Sequence, residues 1–153
     1  MIDEFLMESN KIEGEYSKEA FEDAKHAWNF AMKHKHMIDD DYIRLIHFAL
    51  MARLRPDIAG KPRDCDVWVG GRKCLKPELI REELWQLCNP GIYPAFSESS
   101  IKKWHIQFEK IHPFEDGNGR VGRILMNIQR IKAGLPILVI YEKEKHEYYK
   151  WFK

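Results

Sequence analysis

The sequence predicts an all-α domain carrying one short β-hairpin, and three observations support that reading. Apolar residues recur at three- and four-residue intervals along most of the 153-residue chain. Helix start and stop residues bracket each periodic run. One segment, Val67 to Leu75, departs from the helical period around Gly70-Gly71. The length and a hydrophobic content of 44% suit a single domain over 1–153 with a sizeable core. No internal repeat and no low-complexity linker divides it.

Ser9-Asn10-Lys11-Ile12-Glu13-Gly14 reads as a short helix that Ser9 caps and Gly14 ends. Ser17 then caps a helix over about 18–35, with Glu19 and Glu22 near its positive end. A third helix starts near Asp40, places Ile43, Ile46, His47, Leu50 and Leu54 on one face, and stops at Pro56. The hairpin over about 66–75 turns at Gly70-Gly71. Pro77 suits a first helical position, and that helix runs to about Cys88 before Asn89-Pro90. Ser99 or Ser100 opens the next, whose buried stripe is Ile101, Trp104, His105, Phe108 and Ile111. Another runs from about Asn118 to Ala133, with Val121, Ile124, Leu125 and Ile128 on one face and Gly134 and Pro136 as stop signals. A last helix covers about 142–152. Its abrupt amphipathic end points to a natural C-terminus that continues further.

The formal net charge of +1 supplies no global field toward nucleic acid or an anionic membrane, so any anion site is local. No apolar run reaches the roughly 18–20 residues needed to span a bilayer, and no signal-peptide pattern opens the chain. Cys65, Cys74 and Cys88 are odd in number and lack metal-ligand spacing, which fits reduced thiols and a cytoplasmic location. The basic run Lys33 to His36 reads as a solvated C-terminal helical turn.

Chemistry concentrates in Ile111-His112-Pro113-Phe114-Glu115-Asp116-Gly117-Asn118-Gly119-Arg120-Val121-Gly122-Arg123. Pro113 disfavours helix at His112 and ends the preceding element there. Gly117 and Gly119 let backbone N–H groups approach a bulky anion, and the helix that follows offers unpaired N–H groups and a positive dipole end. Arg120 and Arg123, three residues apart, share one side of its first turns, with planar forks suited to phosphate. His112 can serve as a general base near neutral pH, and Asp116 as a hard oxygen ligand for Mg²⁺ beside a triphosphate. Phe114 points into the core and anchors the loop.

At these residues the chain resembles the Fic family (filamentation induced by cAMP), whose pattern is H-x-F-x-D/E-G-N-G-R-x-x-R. His112, Phe114, Asp116, Gly117, Asn118, Gly119, Arg120 and Arg123 fill every defined position. Ile58 to Arg63 with Val67-Trp68-Val69-Gly70-Gly71, then Gly134-Leu135-Pro136, Tyr148 and Tyr149, extend the resemblance over nearly the whole chain. It implies a protein adenylyltransferase, in which a target hydroxyl, deprotonated by His112, attacks the α-phosphate of ATP and expels pyrophosphate. Asp116 would hold Mg²⁺ against the α- and β-phosphates. Asn118 and the backbone around Gly117 and Gly119 would cradle phosphate oxygens, and Arg120 and Arg123 would neutralise the β- and γ-phosphates. A family branch with altered residues after the aspartate transfers phosphate instead; Gly117-Asn118-Gly119-Arg120 favours AMP transfer here.

Beside that signature, Ser9, Glu13 and Gly14 resemble the family's inhibitory helix, S/T-x-x-x-E-G/N, which would span about 5–15. Glu13 pairing with Arg123, in a bidentate arrangement at its strongest, would then keep the γ-phosphate from its cation. The hairpin residues Val67, Trp68, Val69, Gly70 and Gly71 read either as a structural flap or as an edge that pairs with an extended segment of the target, whose Ser, Thr or Tyr hydroxyl is modified. The aromatic tail, Tyr148, Tyr149 and Trp151, suits either core packing or an adenine pocket. Two other outputs share the site: removal of AMP from a modified protein, and a nucleotide-responsive interaction module.

Overall fold

In the computed structural model, residues 1–153 are described throughout. Seven α-helices occur in chain order: α1 (Ile2–Ile12), α2 (Lys18–Lys33), α3 (Asp40–Met51), α4 (Ile80–Leu87), α5 (Glu98–Ile111), α6 (Asn118–Lys132) and α7 (Lys145–Tyr149). Strands β1 (Trp68–Val69) and β2 (Arg72–Lys73) lie between α3 and α4. The all-α reading with one hairpin describes this architecture. No helix is long and apolar enough to cross a membrane.

Helix α6 runs through the middle of the fold, packed by α1, α2, α3 and α5. Its residues from Arg120 to Arg130 are all buried, so the one-sided apolar stripe expected from the sequence is only part of the picture. The polar positions are tolerated inside because they find partners. Asn127 exchanges hydrogen bonds with the backbone of Leu138 at 2.8 and 3.0 Å, and Arg130 donates to Pro136 O and Glu98. The main core gathers Phe5, Trp28, Ile43, Leu84, Phe108, Phe114 and Leu125 around this helix. A smaller cluster of Ile12, Ile101, Met126, Ile140 and Tyr148 ties the end of α1 to α6 and to the C-terminal segment.

Helix boundaries depart from expectation where local hydrogen bonding decides. Helix α1 begins at Ile2, because Asp3 and Glu4 suit a first turn and Phe5 and Leu6 continue its buried face. Ser9 is therefore inside the helix and not its cap, whereas Gly14, at φ 75°, does end it. Helix α5 is capped by Ser97, ahead of the expected Ser99, because Ser97 and Ser100 form a reciprocal capping box. The segment after Pro77 opens as a 3₁₀ turn, Pro77–Leu79, before α4. The C-terminal helix is broken into 3₁₀ turns on either side of α7.

The hairpin pairs Trp68 with Lys73 and Val69 with Arg72, and Gly70 (φ 58°) and Gly71 (φ 76°) make its turn. Positive φ at both turn residues matches the tight turn whose twist suits a two-residue hairpin loop. Both strands are exposed on both faces.

Candidate active site

Helix α5 ends in an unusual conformation. His112 is its C-cap, at φ 50° and ψ 63°, the only non-glycine residue with positive φ. Such a backbone costs roughly 1–3 kcal/mol unless the surroundings impose it. The imposing group is Arg63, which is buried. Its Nε donates to His112 O at 2.6 Å, and its terminal nitrogens donate to Ile111 O, Cys65 O and Leu75 O. Its own N–H donates to Pro113 O at 2.8 Å. One guanidinium thus satisfies orphan carbonyls at the end of α5 and pins the base of the hairpin beside them. In the sequence Arg63 stands only within the approach to the hairpin, because a single arginine in a polar stretch gives no sign of burial. Arg63→Leu leaves several buried carbonyls unpaired, and a stability loss of about 3 kcal/mol or more is expected in urea unfolding.

His112 keeps partial exposure. Its Nδ1 lies 3.3 Å from Glu109 O, so the proton sits on Nδ1 and the lone pair on Nε2 is left for chemistry. Burial holds its pKa below the ordinary histidine value, which keeps the ring neutral near pH 7.

The loop that follows is braced from α3. The Phe114 ring, fully buried as expected, stacks on His47 with centroids 3.8 Å apart. His47 accepts the Gly60 N–H at Nδ1 (2.9 Å) and donates from Nε2 to Asp116 O (2.8 Å). Burial lowers its pKa to about 4, so this neutral double role persists at ordinary pH. Gly117 (φ 87°) lies against the same residue: a Cβ there would stand 3.1 Å from Met51 Sδ and 3.3 Å from His47 Nε2.

Asn118 departs from its expected role. Its Oδ1 accepts the Phe114 N–H at 2.9 Å and its Nδ2 donates to Phe114 O at 2.8 Å. The carboxamide is spent on closing the loop, so only its backbone faces the α6 start. Asp116 is exposed and half free: Oδ1 accepts the Gly117 N–H at 2.8 Å and stands 3.8 Å from Arg120. Arg120 is buried with Nε and one terminal nitrogen unpartnered, while the other contacts Met51 Sδ at 3.6 Å. A cation enclosed with so little compensation is undersatisfied, and an anion at the loop would supply what is missing.

Arg123, by contrast, is fully engaged at 1% exposure. Nε donates to Ser9 Oγ at 2.8 Å, and one terminal nitrogen donates to Ser9 O at 3.0 Å and Glu13 Oε1 at 2.7 Å. The other reaches Tyr148 Oη at 3.4 Å. Tyr148 in turn lies 2.7 Å from His105 Nε2, and His105 Nδ1 lies 3.1 Å from Gly122 O. Glu13 meets Arg123 through one oxygen only, so the pair is not bidentate. Gly119, in the first turn of α6, makes the approach feasible, since a Cβ there would overlap Glu13 Oε1. Tyr148 is committed to this chamber wall, and Trp151 lies under Lys102. Their geometry favours packing over an adenine pocket.

The structure therefore gathers His112, Asp116, Gly117, Gly119, Arg120, Arg123, Ser9 and Glu13 around the start of α6. The hairpin joins them only at its base through Arg63, and Trp68, Val69, Gly70 and Gly71 stand exposed.

No group of three or more His, Cys, Asp or Glu side chains converges on a metal position. The donor set nonetheless fits Mg²⁺: Asp116 Oδ2 has no protein partner, and this ion ordinarily takes one or two carboxylates with phosphate and water completing its shell.

A family model described as the Fic/DOC family matches residues 37–129. The chain belongs to the Fic/DOC family. The loop at 112–123 and the hairpin fall inside the matched span, and the Ser9 to Gly14 segment precedes it. Among relatives of this Fic/DOC domain, a protein adenylyltransferase Fic of Nematostella vectensis is 32% identical over 118 residues, 73% of this chain and 27% of that protein. A Fido domain-containing protein of Dictyostelium discoideum is 38% identical over 96 residues, 60% of this chain and 67% of that one. The chain spans about a quarter of the length of the adenylyltransferases it matches. In fold, it superposes on Fic-1 of C. elegans with a TM-score of 0.81 at 21% identity, over 97% of this chain and 53% of that one. A Fic family protein of Desulfovibrio desulfuricans gives 0.76 at 21% identity, over 97% and 55%.

Proposed function

We propose that this Fic/DOC domain transfers AMP from ATP to a hydroxyl side chain of a target protein, and that Glu13 holds it inactive. The observation that carries the reading is the arrangement around α6: a neutral His112 and an undersatisfied Arg120 stand ready, while Arg123 is occupied by Glu13 at 2.7 Å. Relatives named protein adenylyltransferases support the reaction class.

The triphosphate seats at the start of α6, where first-turn N–H groups of Asn118, Gly119 and Arg120 lack intrahelical partners. Arg120 and, once Glu13 withdraws, Arg123 neutralise its outer phosphates. His112 Nε2 takes the proton of the target hydroxyl, whose oxygen bonds to the α-phosphorus as the bond to the bridging oxygen breaks and pyrophosphate leaves. Asp116 would hold Mg²⁺, whose chemistry is to offset phosphate charge. Positioning and charge stabilisation account for most of such a reaction. The unpaired Cys65, Cys74 and Cys88 support a reducing, cytoplasmic setting.

Intact mass spectrometry of Glu13→Gly protein with Mg-ATP and a cytosolic lysate tests the reaction. A gain matching AMP is expected; a gain matching phosphate, or release of AMP from a pre-modified target with no transfer, would replace this reading.

The exposed β1 and β2 offer backbone donors and acceptors to an extended target segment, tethered beside His112 by Arg63. Proline at Val69 or Arg72 is expected to cut target modification at least about tenfold while self-modification persists, a loss of roughly 1.4 kcal/mol in target docking. Undiminished target labelling would show the hairpin to be only a flap.

A further inference from the structure

One carboxyl in this chamber has no part in the transfer chemistry. Glu109 lies three residues before His112 on α5. It is wedged into the seam with α6: a Cβ on Gly122 would overlap Glu109 Oε1 and stand 3.1 Å from His105 Cε1 and Phe108 Cδ1. Glycine at 122 therefore creates the space this carboxyl occupies. The residue keeps some exposure, yet Oε1 is fully enclosed and has no hydrogen-bond partner. An enclosed, unpaired carboxylate oxygen is unfavourable, so such a group stays neutral or waits near a cation it does not yet hold.

The cation is Arg123, next in sequence to Gly122. All of its hydrogen bonds go elsewhere, to Ser9, Glu13 and Tyr148. Glu13, at the end of α1, is hydrogen-bonded to this guanidinium, whereas Glu109 lies in the α5–α6 seam beside Gly122, within the field of Arg123 but without a hydrogen bond to it. Burial pushes Glu109 up to about 8; Arg123 opposes that rise, and the charge on Glu13 adds to it. While Glu13 is engaged, Glu109 is mostly protonated near pH 7.

We propose, building on the nucleotide reading above, that Glu109 is a second carboxyl partner of Arg123, which pairs with the guanidinium when Glu13 leaves and yields it to a triphosphate by taking up a proton. Removing the Glu13 charge favours ionised Glu109 and draws Arg123 toward α5. An arriving triphosphate restores negative charge beside Arg123 and sends the proton back onto Glu109.

The sign of the pH effect follows. The bound state has the higher Glu109 pKa, so nucleotide affinity is full below the free-state value and falls as pH rises from there toward the bound-state value. The other groups facing Glu109 do not mimic this. Burial lowers His105 to about 3 and holds His112 below its ordinary value, and it raises Tyr148 and Cys74 above theirs. Arg123 stays charged throughout.

Mg-ATP binding to Glu13→Gly protein, followed by calorimetry at pH 7 to 9 in buffers of different ionisation enthalpy, tests this. Affinity should fall at least about fivefold across that range, with net proton uptake on binding. Adding the isosteric Glu109→Gln should abolish both the uptake and the slope, and should tighten binding at pH 9. Absence of proton uptake in the single variant would overturn the proposal, even if the second variant failed to fold. A slope and uptake that survive Glu109→Gln would do the same. If Glu13→Gly protein bound no Mg-ATP at all, the nucleotide reading itself would fall, and this proposal with it.

Discussion

Glu13→Gly protein is expected to incorporate AMP from labelled ATP at least about tenfold faster than the unaltered chain, into itself as well as into a target. The expectation rests on how completely Arg123 is consumed. Its side chain is enclosed, and three of its hydrogen bonds run to α1: two to Ser9 and one, charge-assisted, to Glu13. A hydrogen bond to a charged group contributes about 1.5–3 kcal/mol, and each roughly 1.4 kcal/mol changes a population tenfold. Releasing Glu13 therefore shifts the nucleotide-competent fraction by about one to two orders of magnitude. The same substitution strips a buried cation of its nearest anion, so thermal stability should fall in the apo protein and recover when Mg-ATP binds. The Ser9 contacts remain, so activation is partial, and Ser9→Ala should add to it. Equal labelling by both proteins would remove Glu13 from any regulatory role.

How much of this was legible in the residues differs between the loop and its supports. The helices are legible from apolar period and from caps such as Ser17, whose side chain accepts from Ala20 N as capping requires; the cap of α3, Asp39, emerges only in the structure. The loop from His112 to Arg123 was legible because its residue types are chemical rather than structural. Its supports were not. His47 sat on an apolar helical stripe and read as core, yet it carries both ends of a hydrogen-bond bridge between Gly60 and Asp116. Arg63 looked like one polar residue among many, and its burial depends on carbonyls that only the folded chain brings together. Ser9 read as a cap because serine often is one, and only the extra turn of α1 before it moves it onto Arg123. Asn118 shows the opposite failure: a residue expected to cradle phosphate with its side chain holds the loop shut and does not present its amide outward. Spacing reveals which residues share a face; it does not reveal which polar partner each one takes.

The largest single loss is expected for His112→Ala, about 10²- to 10⁴-fold in the rate of AMP transfer with Mg-ATP affinity held within about threefold. The separation follows from position. His112 sits at the end of α5 with Nε2 free, while the groups proposed to hold phosphate belong to α6, so removing the imidazole should take away the proposed base and leave the nest. One complication is structural. His112 occupies a left-handed backbone, where alanine is strained, so the alanine variant combines loss of the imidazole with strain in the loop. His112→Asn resolves it, because asparagine tolerates that conformation and cannot act as a base; it should lose rate as severely as alanine while unfolding nearer the unaltered temperature. The pH profile adds an independent readout. Burial holds the His112 pKa below its ordinary value, so the neutral, reactive form persists into mildly acidic solution. In the Glu13→Gly background, turnover at saturating Mg-ATP should fall on the acid side with a midpoint below the ordinary histidine value of about 6.5. A nucleotide-responsive interaction module would behave otherwise, since its output would survive His112→Ala. Transfer at an unchanged rate without the imidazole would remove His112 from the role of base.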